Sequence, residues 1–333
     1  MTPTATIKKR ENSFVASLRP LLARPQNVLL NEQALSAFAC RIAPEQFPVP
    51  CWREVVFPKL DDEEFVNFIG IGNAINFAFT DFDTHQSFCV HWAGQEWRGA
   101  FAMWACLSRA HRTGTGILRA AYLRDLTLKN AKQIFAGTPE LPMLEERVRN
   151  LREVGTILGA KYGGSFWNLV RASKNSATGP TGVLERLVTD FPAFRDEGRY
   201  LGNVLQFQKR AQLFAMMYEG RARSSAELPR LENPDLIGPI ADYDIPRVLH
   251  SVGVLEYLPE LEQKLRTWQP IQANSLEEME IRAQTIKAQI LLLARVNELR
   301  SRENIDFLAL DYKLWRAGRE LREPHHLTKT SAY

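Results

Sequence analysis

Two residues, Asp242 and Lys209, combine a reactive side chain with an apolar setting. They lie in Leu205-Gln-Phe-Gln-Lys-Arg-Ala-Gln-Leu-Phe214 and Ile240-Ala-Asp-Tyr-Asp-Ile-Pro-Arg-Val-Leu249. Helical spacing puts Lys209 on one stripe with Leu205, Leu213 and Met216. Asp244, just ahead of Ile245-Pro246, reads as a helix N-cap with proline in the first turn, which leaves Asp242 without a capping duty. A carboxylate and an ammonium converging in an apolar pocket suit cleavage of a glycosidic bond, because that reaction builds positive charge on a sugar. Spacing alone does not establish convergence. Asp242 also reads as a second turn residue, and Lys209 as a lysine whose stem covers apolar surface while its head reaches water.

Other residues carry weaker signals of the same kind. Ile305, Leu308, Tyr312 and Trp315 define an apolar helix face, and Asp311 lies on it. A carboxylate there needs hydrogen-bond partners, from a polar ligand or from a neighbouring helix. Glu280 and Arg282 sit among Leu276, Met279, Ala283 and Ile286, where an ion pair is the default reading. Asn76-Phe77-Ala78-Phe79 ends an apolar helix, and its two aromatics either stack on a base or join the core. Arg210 and Tyr243 flank the two leading residues and complete the set of candidate ligand contacts.

The elements that must position these residues are mostly helices. Helical patterns cover 31–43, 62–79, 100–112, a stretch from Thr127 to near Gly137, and a long run over 142–174 with possible breaks at Gly155 or Gly163–Gly164. Ser275 with Glu278 is a capping box opening a helix of about 25 residues, Pro259 starts a short helix, and Asn304 caps a last helix through Trp315. Residues 220–240 read as a loop, and 86–99 as a β-hairpin around a glycine turn. The expected architecture is one mostly α domain over 11–333 with that hairpin inserted, after a disordered segment 1–10.

Composition narrows the function classes. The 333 residues carry a formal charge of +4 and 45% apolar residues, enough for a sizeable core and too little basic excess for a nucleic-acid-binding tail. The four cysteines form no Cys-x-x-Cys pair. His85, Cys89 and His91 lack an evident fourth ligand, so no metal is expected. Neither a signal peptide nor a membrane span is visible, which points to a cytoplasmic protein. Gly70-Ile-Gly72 lacks the third glycine and the βαβ context of a dinucleotide fingerprint, and Gly159 to Ser165 lacks the Lys-Ser/Thr ending of a P-loop.

Taken in order, Phe207-Gln-Lys-Arg-Ala-Gln-Leu213, Ala241-Asp-Tyr-x-Ile-Pro-x-Val-Leu249, Glu280-Ile-Arg282 and Leu310-Asp-Tyr-x-Leu-Trp315 resemble segments of the queuosine salvage family. So do Asn76-Phe-x-Phe79, Leu144-Glu-Glu-Arg147 and Gly163-Gly-Ser-Phe166, and the resemblance runs over roughly residues 50–333. It implies an N-glycosidase that releases queuine, a 7-deazaguanine base, from queuosine 5′-monophosphate. It also implies a fold like the helical DNA glycosylases of the helix-hairpin-helix superfamily, and no metal or organic cofactor. Asp242 matches the catalytic carboxylate, and Lys209 the lysine of the Lys-Arg-Ala-Gln motif. The chain departs from the family pattern at Thr80, Ala100-Phe101 and Arg316, around the rim of the implied pocket. The expected partner is therefore a small molecule, with no nucleic-acid polymer, no membrane and a monomeric chain. A DNA glycosylase should show a basic face and a Gly-x-Gly hairpin, and neither is found. A nucleoside glycosylase of other specificity and a non-enzymatic nucleotide-binding protein are the remaining alternatives, which turnover would separate.

Overall fold

Short polar caps set the helix starts. In this computed structural model, which describes residues 12–333, Asn31 accepts from the Ala34 amide at 2.9 Å and opens helix Glu32–Ile42. Asp62 does the same for Glu63–Ala74, Thr127 for Leu128–Ile134, and Ser275 for Leu276–Leu299. The disorder expected of residues 1–10 lies outside the described residues. Fifteen α-helices appear among those described, with only two-stranded antiparallel sheets beside them, so the mostly α expectation holds. The expected hairpin is Cys89–Trp92 paired with Gln95–Arg98.

Helix Glu63–Ala74 is the axis of the core and packs against Ala100–Arg112, Leu144–Lys161, Phe166–Ala172 and Lys209–Ala222. Its two glycines serve that packing. A Cβ on Gly70 would fall 2.3 Å from the Phe166 ring, and one on Gly72 only 1.7 Å from Trp104. The pair that began like a nucleotide fingerprint is a pair of close helix crossings. On the other side, Leu276–Leu299 packs against Glu32–Ile42 and Asp244–Ser251, and Asp244–Ser251 against Phe307–Glu320.

Several sequence expectations need correction. Helix Glu63–Ala74 stops before Asn76, so Asn76–Phe79 forms a turn beyond the helix. Leu205 belongs to strand Asn203–Gln206, because Gln208 takes φ 54° and breaks the chain before the helix opens at Lys209. Lys209 therefore shares its face with Leu213 and Met216 but not with Leu205. The run over 142–174 breaks at Gly163–Gly164, whose φ values of 57° and 88° suit glycine, and Gly155 stays helical. Asp306, not Asn304, caps the last helix, accepting from Ala309 at 3.1 Å, and that helix runs on to Glu320. Helix Lys209–Ala222 reaches into the expected loop, and a 3-10 turn, Pro234–Leu236, occupies part of the rest. Two strand pairs escaped the sequence reading, Val28–Leu30 with Leu255–Tyr257 and Glu197–Tyr200 with Asn203–Gln206. Strands of three or four residues are too short for alternation to register. No helix among the described residues is long and apolar enough to cross a membrane.

Candidate active site

A cavity of about 540 Å³ opens where the Asn76–Thr80 turn, the start of helix Lys209–Ala222, the Asp242–Asp244 segment and helix Phe307–Glu320 meet. Its size suits a small organic ligand. Lys209, Asp242 and Asp311 all line it, so the convergence that spacing left open is present. Asn76, Phe77, Phe79, Tyr243 and Trp315 line it as well.

Lys209 is 4% exposed, and its head does not reach water as a snorkelling lysine would. Its Nζ donates to the Asn76 carbonyl at 3.2 Å, while its backbone N–H donates to Asp196 at 3.1 Å. Burial pulls its pKa down to about 8, against the opposing pull of Asp242 and, more weakly, Asp311. Gln212, one turn on, accepts from the Gly238 amide at 2.8 Å, and Gln289 donates to the Ile240 carbonyl at 2.6 Å. Together they fix the strand of chain that delivers Asp242.

Asp242 has the capping duty that the sequence seemed to give Asp244. Its Oδ1 accepts from the amides of Asp244 and Ile245 at 2.9 and 3.1 Å, at the mouth of helix Asp244–Ser251. The two donors fix the carboxylate by one oxygen and leave the other without a hydrogen bond among the described residues. Asp244 instead pairs with Arg247 at 2.6 Å. Burial, and then the charge of Asp242, raise its pKa.

Asp311 is 7% exposed, and its Oδ1 has no hydrogen-bond partner among the described residues. Burial, reinforced by Asp242 and opposed by Lys209, holds its pKa well above the usual carboxylate range. Among the described residues it makes no hydrogen bond to a neighbouring helix, and its burial favours the neutral form of the carboxyl group that lines the cavity.

Two aromatic walls face these groups. Trp315 stacks on Phe101 at 5.8 Å, and Arg319 lies over both rings at 5.0 and 5.3 Å. On the same cavity, Tyr243 donates to the Thr328 carbonyl at 2.9 Å and packs 4.8 Å from both His325 and Tyr333. His85, dismissed as a metal ligand, stacks on Trp268 at 4.8 Å. Sequence reasoning missed Phe101, Trp268, His325, Tyr333 and Arg319. Phe101 sits where the chain departs from the family pattern, and that was its one signal; Arg319 continues the Leu308, Tyr312 and Trp315 stripe one turn on, and the other three stand in no periodic pattern.

Arg210, Glu280 and Arg282 do not line the cavity. Arg210 donates to the carbonyls of Ala74, Ala193 and Ala332, which leaves it no role as a phosphate ligand. Glu280 and Arg282 do not pair with each other. Arg282 grips Asp196, the carboxylate that anchors the Lys209 amide, and also meets Glu278 at 3.4 Å. Glu280 accepts from the amides of Gln26, Asn27 and Val28, at 2.6 Å from Asn27. Glu280→Ala should therefore cost about 3 kcal/mol of stability, seen as a lower midpoint in denaturant, with turnover at 25 °C unchanged.

A helical scaffold that brings a lysine amine, several carboxyl groups and aromatic side chains into one cavity defines a protein that encloses a small, partly polar molecule and can do acid–base chemistry on it. The profile of the family described as queuosine salvage protein matches residues 56–333, and the chain belongs to that family. It is 33% identical to the queuosine 5′-phosphate N-glycosylase/hydrolase of Sphaerobacter thermophilus, over 96% of this chain and 97% of that one. It is 30% identical to the protein of the same name from Mus musculus over 95% and 97%, and 28% identical to that of Nematostella vectensis over the whole of both.

Proposed function

We propose that the chain hydrolyses the N-glycosidic bond of queuosine 5′-monophosphate and releases queuine for salvage into tRNA modification. The observation that carries this reading is the meeting of Lys209, Asp242 and Asp311 in one aromatic-walled cavity. The reaction passes through an oxocarbenium-like sugar. Asp242, held by one oxygen, offers the other to that cation and takes a proton from the attacking water. Carbon replaces nitrogen at position 7 of the base, so protonation there is not the usual route to departure. A neutral Asp311 can instead donate a hydrogen bond to another heteroatom of the leaving base. Lys209 balances the charge of Asp242. Phe77, Phe79, Trp315 and Tyr243 supply flat apolar surface for the base, and Asn76 a polar edge.

With Arg210 committed to carbonyls, the phosphate needs another cation. Arg319 and Arg322 line the cavity and form no ion pair among the described residues, so they are the better match. The enzyme works as a cytoplasmic monomer without a cofactor. Incubation with queuosine 5′-monophosphate and with queuosine, followed by chromatography, tests the reading. Queuine should appear from the monophosphate and more slowly from the nucleoside. Equal rates would rule out phosphate recognition, and no release from either would rule out the reaction.

A further inference from the structure

Carbonyls at the end of helix Glu63–Ala74 and just beyond it are held by three buried cations. Arg210 donates to Ala74, Lys209 to Asn76 at 3.2 Å, and Arg147 to both Phe77 and Ala78, the latter at 3.0 Å. Arg147 is 0% exposed. It also donates to the Pro142 carbonyl, and its guanidinium lies 4.2 Å from the Phe77 ring and 5.3 Å from the Phe79 ring. It forms no ion pair among the described residues. A buried cation without a carboxylate is costly, and an apolar side chain would fill the space without that cost. An apolar side chain could not hold two successive carbonyls. A forked guanidinium can, and Ala78 needs holding, because its φ of 42° is strained for a residue with a Cβ.

We propose that Arg147 is a positioning residue of the cavity: its grip on the Phe77 and Ala78 carbonyls fixes the strained turn that presents Asn76 to Lys209 and stands Phe77 and Phe79 in the wall. Arg147 does not line the cavity itself, so its effect on the reaction passes through that turn. The inference rests on the hydrolase reading above, and the wild-type protein in the same assay keeps the two apart.

Arg147→Lys keeps the charge but not the fork, and Arg147→Gln keeps one donor group without the charge. Each is checked for folding at 25 °C by circular dichroism, then assayed for queuine release across pH. In a folded variant kcat should fall about tenfold or more, the cost of loosening a wall that orients reacting groups. The alkaline limb of the kcat profile should also move, because Lys209 loses its fixed carbonyl. A folded variant with wild-type kcat and an unmoved limb overturns the proposal. So does failure of both variants to fold, since Arg147 would then serve folding alone. Absence of turnover in the wild type strikes the hydrolase reading instead.

Discussion

Asp242→Asn should leave a folded protein that binds queuine and turns over at least 10²-fold more slowly, a loss of about 3 kcal/mol in the barrier. The substitution isolates charge from structure. Asparagine keeps an acceptor oxygen for the amides of Asp244 and Ile245, so the start of helix Asp244–Ser251 survives. It cannot stabilise a sugar cation or accept a proton from water. Free base carries no such cation, so its binding should change far less. Asp244→Asn is the control. It weakens one ion pair with Arg247, which still donates to the carbonyls of Gly318 and Glu323, and the rate should fall less than about tenfold. Single-turnover rates and calorimetric binding of queuine check both variants. The reverse ranking would make Asp244 the catalytic carboxylate.

Turnover should also fall as the pH rises through about 8, where the buried ammonium of Lys209 loses its proton. The sign follows from the direction of the shift. Burial has lowered this pKa, so the charged form that balances Asp242 persists below about 8 and disappears above it, well before an exposed lysine would titrate. Asp311 must keep its proton to donate to the base, and its raised pKa places its loss on the same side of the profile. Lys209→Met tells the two apart. It should lower kcat on the order of 10²-fold and abolish the limb near 8, leaving only that of Asp311. Without the opposing ammonium that limb should move further up. A limb near 8 that survives in Lys209→Met would assign it to another group.

Several helix starts were legible because capping chemistry is local, though Ala120–Arg124 and Val183–Asp190 went unread and the caps assigned to Asn304 and Asp244 belong to Asp306 and Asp242. Asn31, Asp62, Thr127 and Ser275 announce themselves within four residues of chain. That Asp242, Lys209 and Asp311 could meet in one cavity was legible for another reason: they are charges placed among apolar neighbours. The same logic misled for Arg210, Glu280 and Arg282. They too are buried charges, but their partners are backbone groups and Asp196, far off in sequence, and nothing local separates a cation that staples carbonyls from one that awaits a phosphate. The exchange of roles between Asp242 and Asp244 was hidden likewise, since it turns on which side chain folds back over the amides of Asp244 and Ile245.

The cavity draws its walls from Pro50 at one extreme and Tyr333 at the other, with Lys209, Asp242 and Trp268 between. Such contacts join segments far apart in sequence, and closing them costs more chain entropy than forming a helix does. The helices can be native while the chain is still unable to recognise its ligand. A cut in the segment that carries His325 and Tyr333 would take away one aromatic wall and spare most of the core. Helical content is thus a poor gauge of competence in this protein, and ligand binding, which needs a cavity built from all those segments, is a better one.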